Sequence, residues 1–234
     1  MRFAAPAGAT PLDPDEMGGL KFGHITTRAE LDALEHANIT EGLRWLARRR
    51  RGDILNDAFI RTLHKRLFGG VWDWAGTYRR REKNIGVAPY QISMQLHMLL
   101  GDAHLWAKDR TFEPLEAGAR FHHRLVQIHP FPNGNGRHAR IAADIYLSDH
   151  FDHAPIEWAS GFDLQADNAR REAYLAALRA ADAGDIDPLL EFVAGNGGAA
   201  RQTFSVTSAI EMSPSPARRT GPNYETAKQK AHHG

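Results

Sequence analysis

Residues 129–140 read His-Pro-Phe-Pro-Asn-Gly-Asn-Gly-Arg-His-Ala-Arg. Their types and spacing suit the handling of a polyphosphate. Gly134 and Gly136, one residue apart, let backbone amides turn towards an anion with no Cβ in the way. A helix is predicted to open directly afterwards, and its unsatisfied N–H groups and dipole favour phosphate. Arg137 and Arg140 are three apart, so they share a face at that positive end. A guanidinium meets phosphate oxygens bidentately. Asn135 can donate to a phosphate oxygen and hold the turn. His129 closes the preceding helix, where a neutral imidazole can take a proton from a hydroxyl that attacks phosphorus. Phe131 can lock the loop to the core. A lone histidine or a lone Gly-x-Gly says little, and it is the ordered set that is specific.

The elements that must position this loop are mostly helical. Thr27 and Glu30 have capping-box spacing, and a helix is predicted from there to about Arg50. Leu34, Glu41 and Trp45 share one of its faces, so Glu41 is either a solvated edge residue or meets a cation. Arg48 to Arg51 suits the negative end of that helix. Asn56 to Phe68 forms a second helix on Ile60, Leu63 and Leu67, ended by Gly69-Gly70. Trp72 and Trp74 are expected as core anchors. Tyr78 to Tyr90 lacks helical periodicity and reads as a two-stranded flap or an extended loop. Gln91 to Lys108 is helical, and Pro114 opens the helix that feeds the loop, with Phe121, Leu125 and Ile128 inward. Helices follow at about 137–148, 166–181 and 188–194. The first 21 residues read as a flexible arm, and 197–234 as a disordered tail.

The chain holds 29 basic and 28 acidic side chains and no cysteine. That balance gives no reason to expect nucleic acid, and no thiol chemistry is available. The N-terminus lacks a secretory pattern and no run is apolar enough to span a membrane, so a cytoplasmic location is expected. His122, His123, His129 and His138 invite a metallohydrolase reading. Adjacent helical histidines point apart, however, and helical ligand pairs sit at i, i+4 with a carboxylate.

Residues 129–140 resemble the Fic/Doc family motif H-x-F-x-[DE]-G-N-G-R-x-x-R and depart from it only at Asn133. Trp74-Ala75-Gly76-Thr77-Tyr78-Arg79 resembles the segment before that family's flap. The resemblance spans roughly residues 22–196. Within the family it looks most like the mobile mystery protein B group, usually encoded beside a small helix-turn-helix protein, a possible partner. It implies an all-α Fic fold with a small β-hairpin flap, and transfer of AMP from ATP to a hydroxyl of a target protein. His129 would be the general base and Phe131 the core anchor. Gly134, Asn135 and Gly136 would form the phosphate nest, with Arg137 and Arg140 on the outer phosphates. The target would dock on the flap by strand addition, at Lys83, Ile85 and Gly86. Asn168 and Tyr174 are candidates for adenine contact. The resemblance places Mg2+ at residue 133, where asparagine brings an amide oxygen and no charge. It also implies an inhibitory Glu41 paired with Arg140, from Ala37-Asn38-Ile39-Thr40-Glu41-Gly42. A slower transferase, another phosphate donor and a nucleotide-binding regulatory module remain open readings.

Overall fold

Two helices and the turn between them carry the loop, and further helices among the described residues pack against that hairpin. The structure is a computed structural model that describes residues 12–50, 53–159 and 164–195. The tail expected beyond residue 196 and the first eleven residues lie outside the described residues. In chain order the helices are α1 Pro14–Met17, α2 Arg28–Ala47, α3 Asp57–Phe68, α4 Ile92–Asp109, α5 Pro114–Ile128, α6 Asn135–Phe151, α7 Ala169–Asp182 and α8 Asp187–Ala194. A 3-10 turn at Pro89–Gln91 leads into α4.

Local chemistry sets several of these boundaries. Thr27 and Glu30 form the capping box of α2, and the Asn56 side chain accepts from the Phe59 N–H at 2.8 Å to start α3. Pro114 stands in the first turn of α5, where its missing N–H costs nothing. Phe121, Leu125 and Ile128 are buried as one stripe of α5. They face a small-residue side of α6, where Ala139, Ala142 and Ala143 are buried. A Cβ at Gly118 would lie 2.7 Å from Leu147 Cδ1, so the two helices meet at a glycine. The hairpin is flanked by α4 and α8 on α5 and by α3 on α6, and α2 packs on α3.

Two expectations about less regular segments change. Among the described residues there is no β-strand, only an isolated antiparallel bridge between Leu20 and Trp72. The flap is therefore a loop. Its backbone bonds leave the segment instead of crossing it: Arg79 N–H donates to Pro130 O at 2.9 Å and Val87 N–H to Ile128 O at 3.4 Å. The Arg79 guanidinium donates to the carbonyls of Arg81 and Val87, so a side chain takes the acceptors a hairpin ladder would need. The N-terminal arm is also not loose from residue 12 onward. Trp74 Nε1 donates to Glu16 O, Asp73 N–H to Gly19 O and Lys21 N–H to Val71 O. These bonds seat α1 on the turn that carries Trp72 and Trp74.

Several imidazoles lie in the core. His64, His122 and His138 are fully buried and His129 nearly so. Burial disfavours the charged ring, and it holds His122 at about 3, His129 and His138 at about 4, and His64 well below the ordinary value. Unfolded histidines take up protons near pH 6.5 while these do not, so stability is complete above that pH and falls below it. Each contributes a slope of about 1.4 kcal/mol per pH unit in its window. The urea midpoint should therefore drop steeply from pH 7 to pH 5. An unchanged midpoint over that range would contradict this burial of neutral rings.

Candidate active site

The loop leaves α5 through a left-handed residue. His129 has φ 53° and ψ 59° as the C-cap of α5, a conformation histidine adopts more readily than bulky side chains do. Phe131 then turns wholly into the core and stacks on His64, with ring centroids 3.7 Å apart. Asn135 closes the turn. Its Oδ1 accepts from Phe131 N–H at 2.9 Å and its Nδ2 donates to Phe131 O at 2.8 Å. Asn135 thus holds the turn with both ends of its amide, and one Nδ2 bond is enough to do so. Gly134 follows with φ 78°, and a Cβ there would lie 2.7 Å from the Phe68 ring. Only glycine meets both demands.

Helix α6 begins at Asn135, and no side chain caps it. By helix geometry its first N–H groups have no intrahelical acceptor. They point out of the turn with the positive end of the dipole behind them. Space exists there, since a Cβ built on Gly136 would meet only Arg140 Nη1 at 3.7 Å and Tyr174 Oη at 3.9 Å.

The two arginines differ. Arg137 Nη1 lies 2.7 Å from Glu35 Oε2, and both side chains are largely buried, 14 % and 4 % exposed. Trp72 Nε1 donates to the other Glu35 oxygen at 2.7 Å, and the guanidinium lies over the Phe68 ring. Arg137 is thereby tied to the core. Arg140 sits over Tyr174 at the rim.

Glu41 does not meet Arg140 here. It is exposed and pairs with Arg44 on its own helix. The reason is register. The inward residues of α2 are Leu31, Glu35 and Gly42, with Asn38 bonded to the α3 end through Arg66 O and Gly70 N–H. Glu41 lies about 240° round the helix from Glu35. Glu35 was missed in the sequence, although its i, i+4 relation to Leu31 and i, i+7 relation to Gly42 was available there.

Around His129 the loop 79–88 forms a wall. Arg79 Nε donates to His129 O at 2.7 Å. A Cβ at Gly86, φ 104°, would lie 2.7 Å from the His129 Cβ. The imidazole is held at about pKa 4 first by burial and then by the Arg79 charge; a bond to the Val126 carbonyl works the other way, and Lys83 adds to the lowering. It is neutral at pH 7 and can accept a proton. Lys83, expected to meet a target, is instead 3 % exposed and paired with Asp13 at 3.0 Å and with Glu16. Ile85 remains 43 % exposed. It borders a groove of about 450 Å3 that Gly86 and Val87 share with Val126 of α5 and Leu175 and Leu178 of α7. Asn168, a candidate for adenine contact, is the N-cap of α7 and accepts from Arg171 N–H. Tyr174 is buried.

Asn133 offers little to a metal. Its Oδ1 accepts from Gly134 N–H. Among the described residues no group of three or more His, Cys, Asp or Glu could hold an ion. The donor set does not fit a protein-held Mg2+.

The contrast between the two acids is testable. Glu35→Ala strands a buried guanidinium and is expected to cost about 3–5 kcal/mol of stability. Glu41→Ala should change stability by no more than about 0.5 kcal/mol. Denaturant unfolding of both variants decides, and equal effects would contradict the assignment.

Comparisons with known proteins agree with this geometry. Residues 54–147 match the model of the Fic/DOC family. Protein adenylyltransferase fic-1 of Caenorhabditis elegans is 30% identical over 154 residues, 62% of this chain and 28% of that protein. Protein adenylyltransferase Fic of Nematostella vectensis is 30% identical over 198 residues, 82% of this chain and 40% of that protein. The chain thus spans well under half the length of these relatives. Among solved structures, Fic-1 (residues 134–508) of C. elegans aligns with a TM-score of 0.57 at 24% identity, over 76% of this chain and 52% of that one. BepC of Bartonella tribocorum, solved with bound AMPPNP, aligns with a TM-score of 0.58 at 18% identity, over 77% of this chain and 96% of that one. The helical architecture is that of Fic structures, and residues 54–147 are the part of the chain that matches the Fic/DOC family.

Proposed function

We propose that this chain transfers AMP from ATP to a hydroxyl side chain of a protein target. The observation that carries the reading is the pairing of a buried, neutral His129 with the uncapped N-terminus of α6, across one short turn. The relatives named as protein adenylyltransferases support it.

The triphosphate lies along the first turn of α6. Its oxygens accept from the helix amides near Gly136, and Arg140 takes the outer phosphates. The base and ribose extend towards the groove beside Gly86, Val126 and Leu175. The target hydroxyl oxygen attacks the α-phosphorus. Its proton passes to the His129 imidazole, the bond from the α-phosphorus to pyrophosphate breaks, and the target keeps AMP as a phosphodiester. The Arg140 charge stabilises the leaving pyrophosphate. A divalent cation that arrives with ATP belongs to the substrate, and no step here passes through a cation held by the protein.

The target enters along the loop 79–88, with Ile85 the exposed apolar contact. At its two ends, Arg79 and Val87 bond to the turn between α5 and α6, which holds the loop beside His129. Lys83 takes part by its charge beside His129.

A second reading has its own support. The Asn133 oxygen is committed to Gly134 and Arg137 to Glu35, which favours nucleotide binding with little turnover.

Incubation with ATP labelled in the α-phosphate separates the two. Wild type should label protein, and His129→Ala should lower the rate by about 100-fold or more. Glu41→Gly should leave labelling unchanged, because Glu41 faces solvent. Label retained in His129→Ala would sink the general-base role. Nucleotide binding without label in wild type would establish the binding-only reading.

A further inference from the structure

Tyr174 is a buried polar residue that the reaction does not use directly. Its ring lies in the core between α5, α7 and α8, within 5.6 Å of the Phe192 ring centroid. A phenylalanine would fill that space as well. The hydroxyl, however, stands at the rim of the anion site, 3.9 Å from where a Gly136 Cβ would be. The Arg140 guanidinium lies over the ring, 5.5 Å from its centroid, and its charge acts on the phenol. Behind it, His122 Nε2 lies 3.0 Å from the hydroxyl.

The direction of these bonds is fixed by chemistry. Arginine only donates, so a guanidinium that meets the Tyr174 oxygen makes it the acceptor and sends the phenol's own proton elsewhere. His122 Nε2 takes it. That requires a neutral imidazole, and His122 is fully buried beside the Arg140 charge. His122 is held in turn by Trp158, with ring centroids 4.3 Å apart. The acid nearest to Arg140 along α6 is Asp144, one turn on. It is engaged elsewhere, accepting from Ile156 N–H and Trp158 Nε1 at 3.0 Å each.

We propose that Tyr174, backed by His122, is the positioning residue for Arg140, and that it aims the guanidinium at the outer phosphates of a bound nucleoside triphosphate. The last clause rests on the reading of Arg140 given above.

Tyr174→Phe keeps the ring and removes the hydroxyl. Two measurements test it. The first is calorimetric binding of ATP and of AMP to wild type and variant. ATP should bind about tenfold more weakly to the variant, the scale of one lost charge-assisted hydrogen bond. AMP, which has no outer phosphates, should bind equally to both. Unchanged ATP affinity, or a parallel loss for AMP, overturns the proposal. The second needs no nucleotide. In 15N-resolved NMR the Arg140 side-chain N–H signals should be slow to exchange in wild type and averaged in Tyr174→Phe. Averaged signals in both proteins overturn the positioning role. If wild type binds no ATP, the transferase reading fails while this measurement still decides the role of Tyr174. His122→Leu leaves Tyr174 in place and removes its acceptor; it should average the Arg140 signals too, and a wild-type signal there also overturns the proposal.

Discussion

The site depends on one neutral imidazole. His64 Nδ1 accepts from Gly76 N–H at 3.0 Å. Its Nε2 therefore carries the proton and donates to Asn133 O at 3.0 Å. The same ring stacks on Phe131. One side chain of α3 thus ties the Trp-Ala-Gly turn to the loop between α5 and α6. A protonated ring would lose the Gly76 acceptor, and a ring of another shape would lose the stack. Burial keeps it neutral. With Phe131 and Asn133 pinned from below, the chain has one way to pass from the left-handed His129 to the left-handed Gly134.

Several features follow from that pinning. Asn135 and His64 take the Phe131 amide groups and the Asn133 carbonyl, and no side chain caps the start of α6. The wall beside His129 is set by Arg79, which bonds to the carbonyls of His129, Arg81 and Val87 at once. A buried guanidinium with its donors taken is a rigid strut. Its charge also helps to keep His129 deprotonated. The N-terminal acids Asp13 and Glu16 neutralise Lys83 near the same place. Charge around the imidazole is thus organised by residues from three distant parts of the chain.

Much of this was legible in the sequence. The helices arise from capping residues and apolar periodicity, which are local, and α3 and α5 show them strongly. The loop was legible because glycine spacing, a helix start and two arginines three apart are also local. The resemblance to the Fic/Doc motif rests on those same residues. Phe131 as an anchor follows from its placement between two prolines in a polar loop.

The residues that were not legible are those whose roles depend on distant partners. Glu35 and Glu41 are both acids on one helix, and only the packing of Gly42 and Asn38 against α3 decides which of them is buried. Arg137 and Arg140 are equivalent by spacing, yet α2 supplies an acid to the first and α7 a phenol to the second. Lys83 was expected at the docking stretch, but Asp13 and Glu16 pair with it. Residues 79–88 lacked helical periodicity, as expected. Whether they paired as a hairpin turned on where their N–H and C=O groups found partners, and Ile128, Pro130 and the Arg79 side chain supplied those. Sequence alone determined the helices and the glycine turn between α5 and α6, because both are set by neighbours along the chain. The tertiary structure decided which charges are committed and which face the site, because an ion pair or a buried hydrogen bond forms only where packing brings its two halves together.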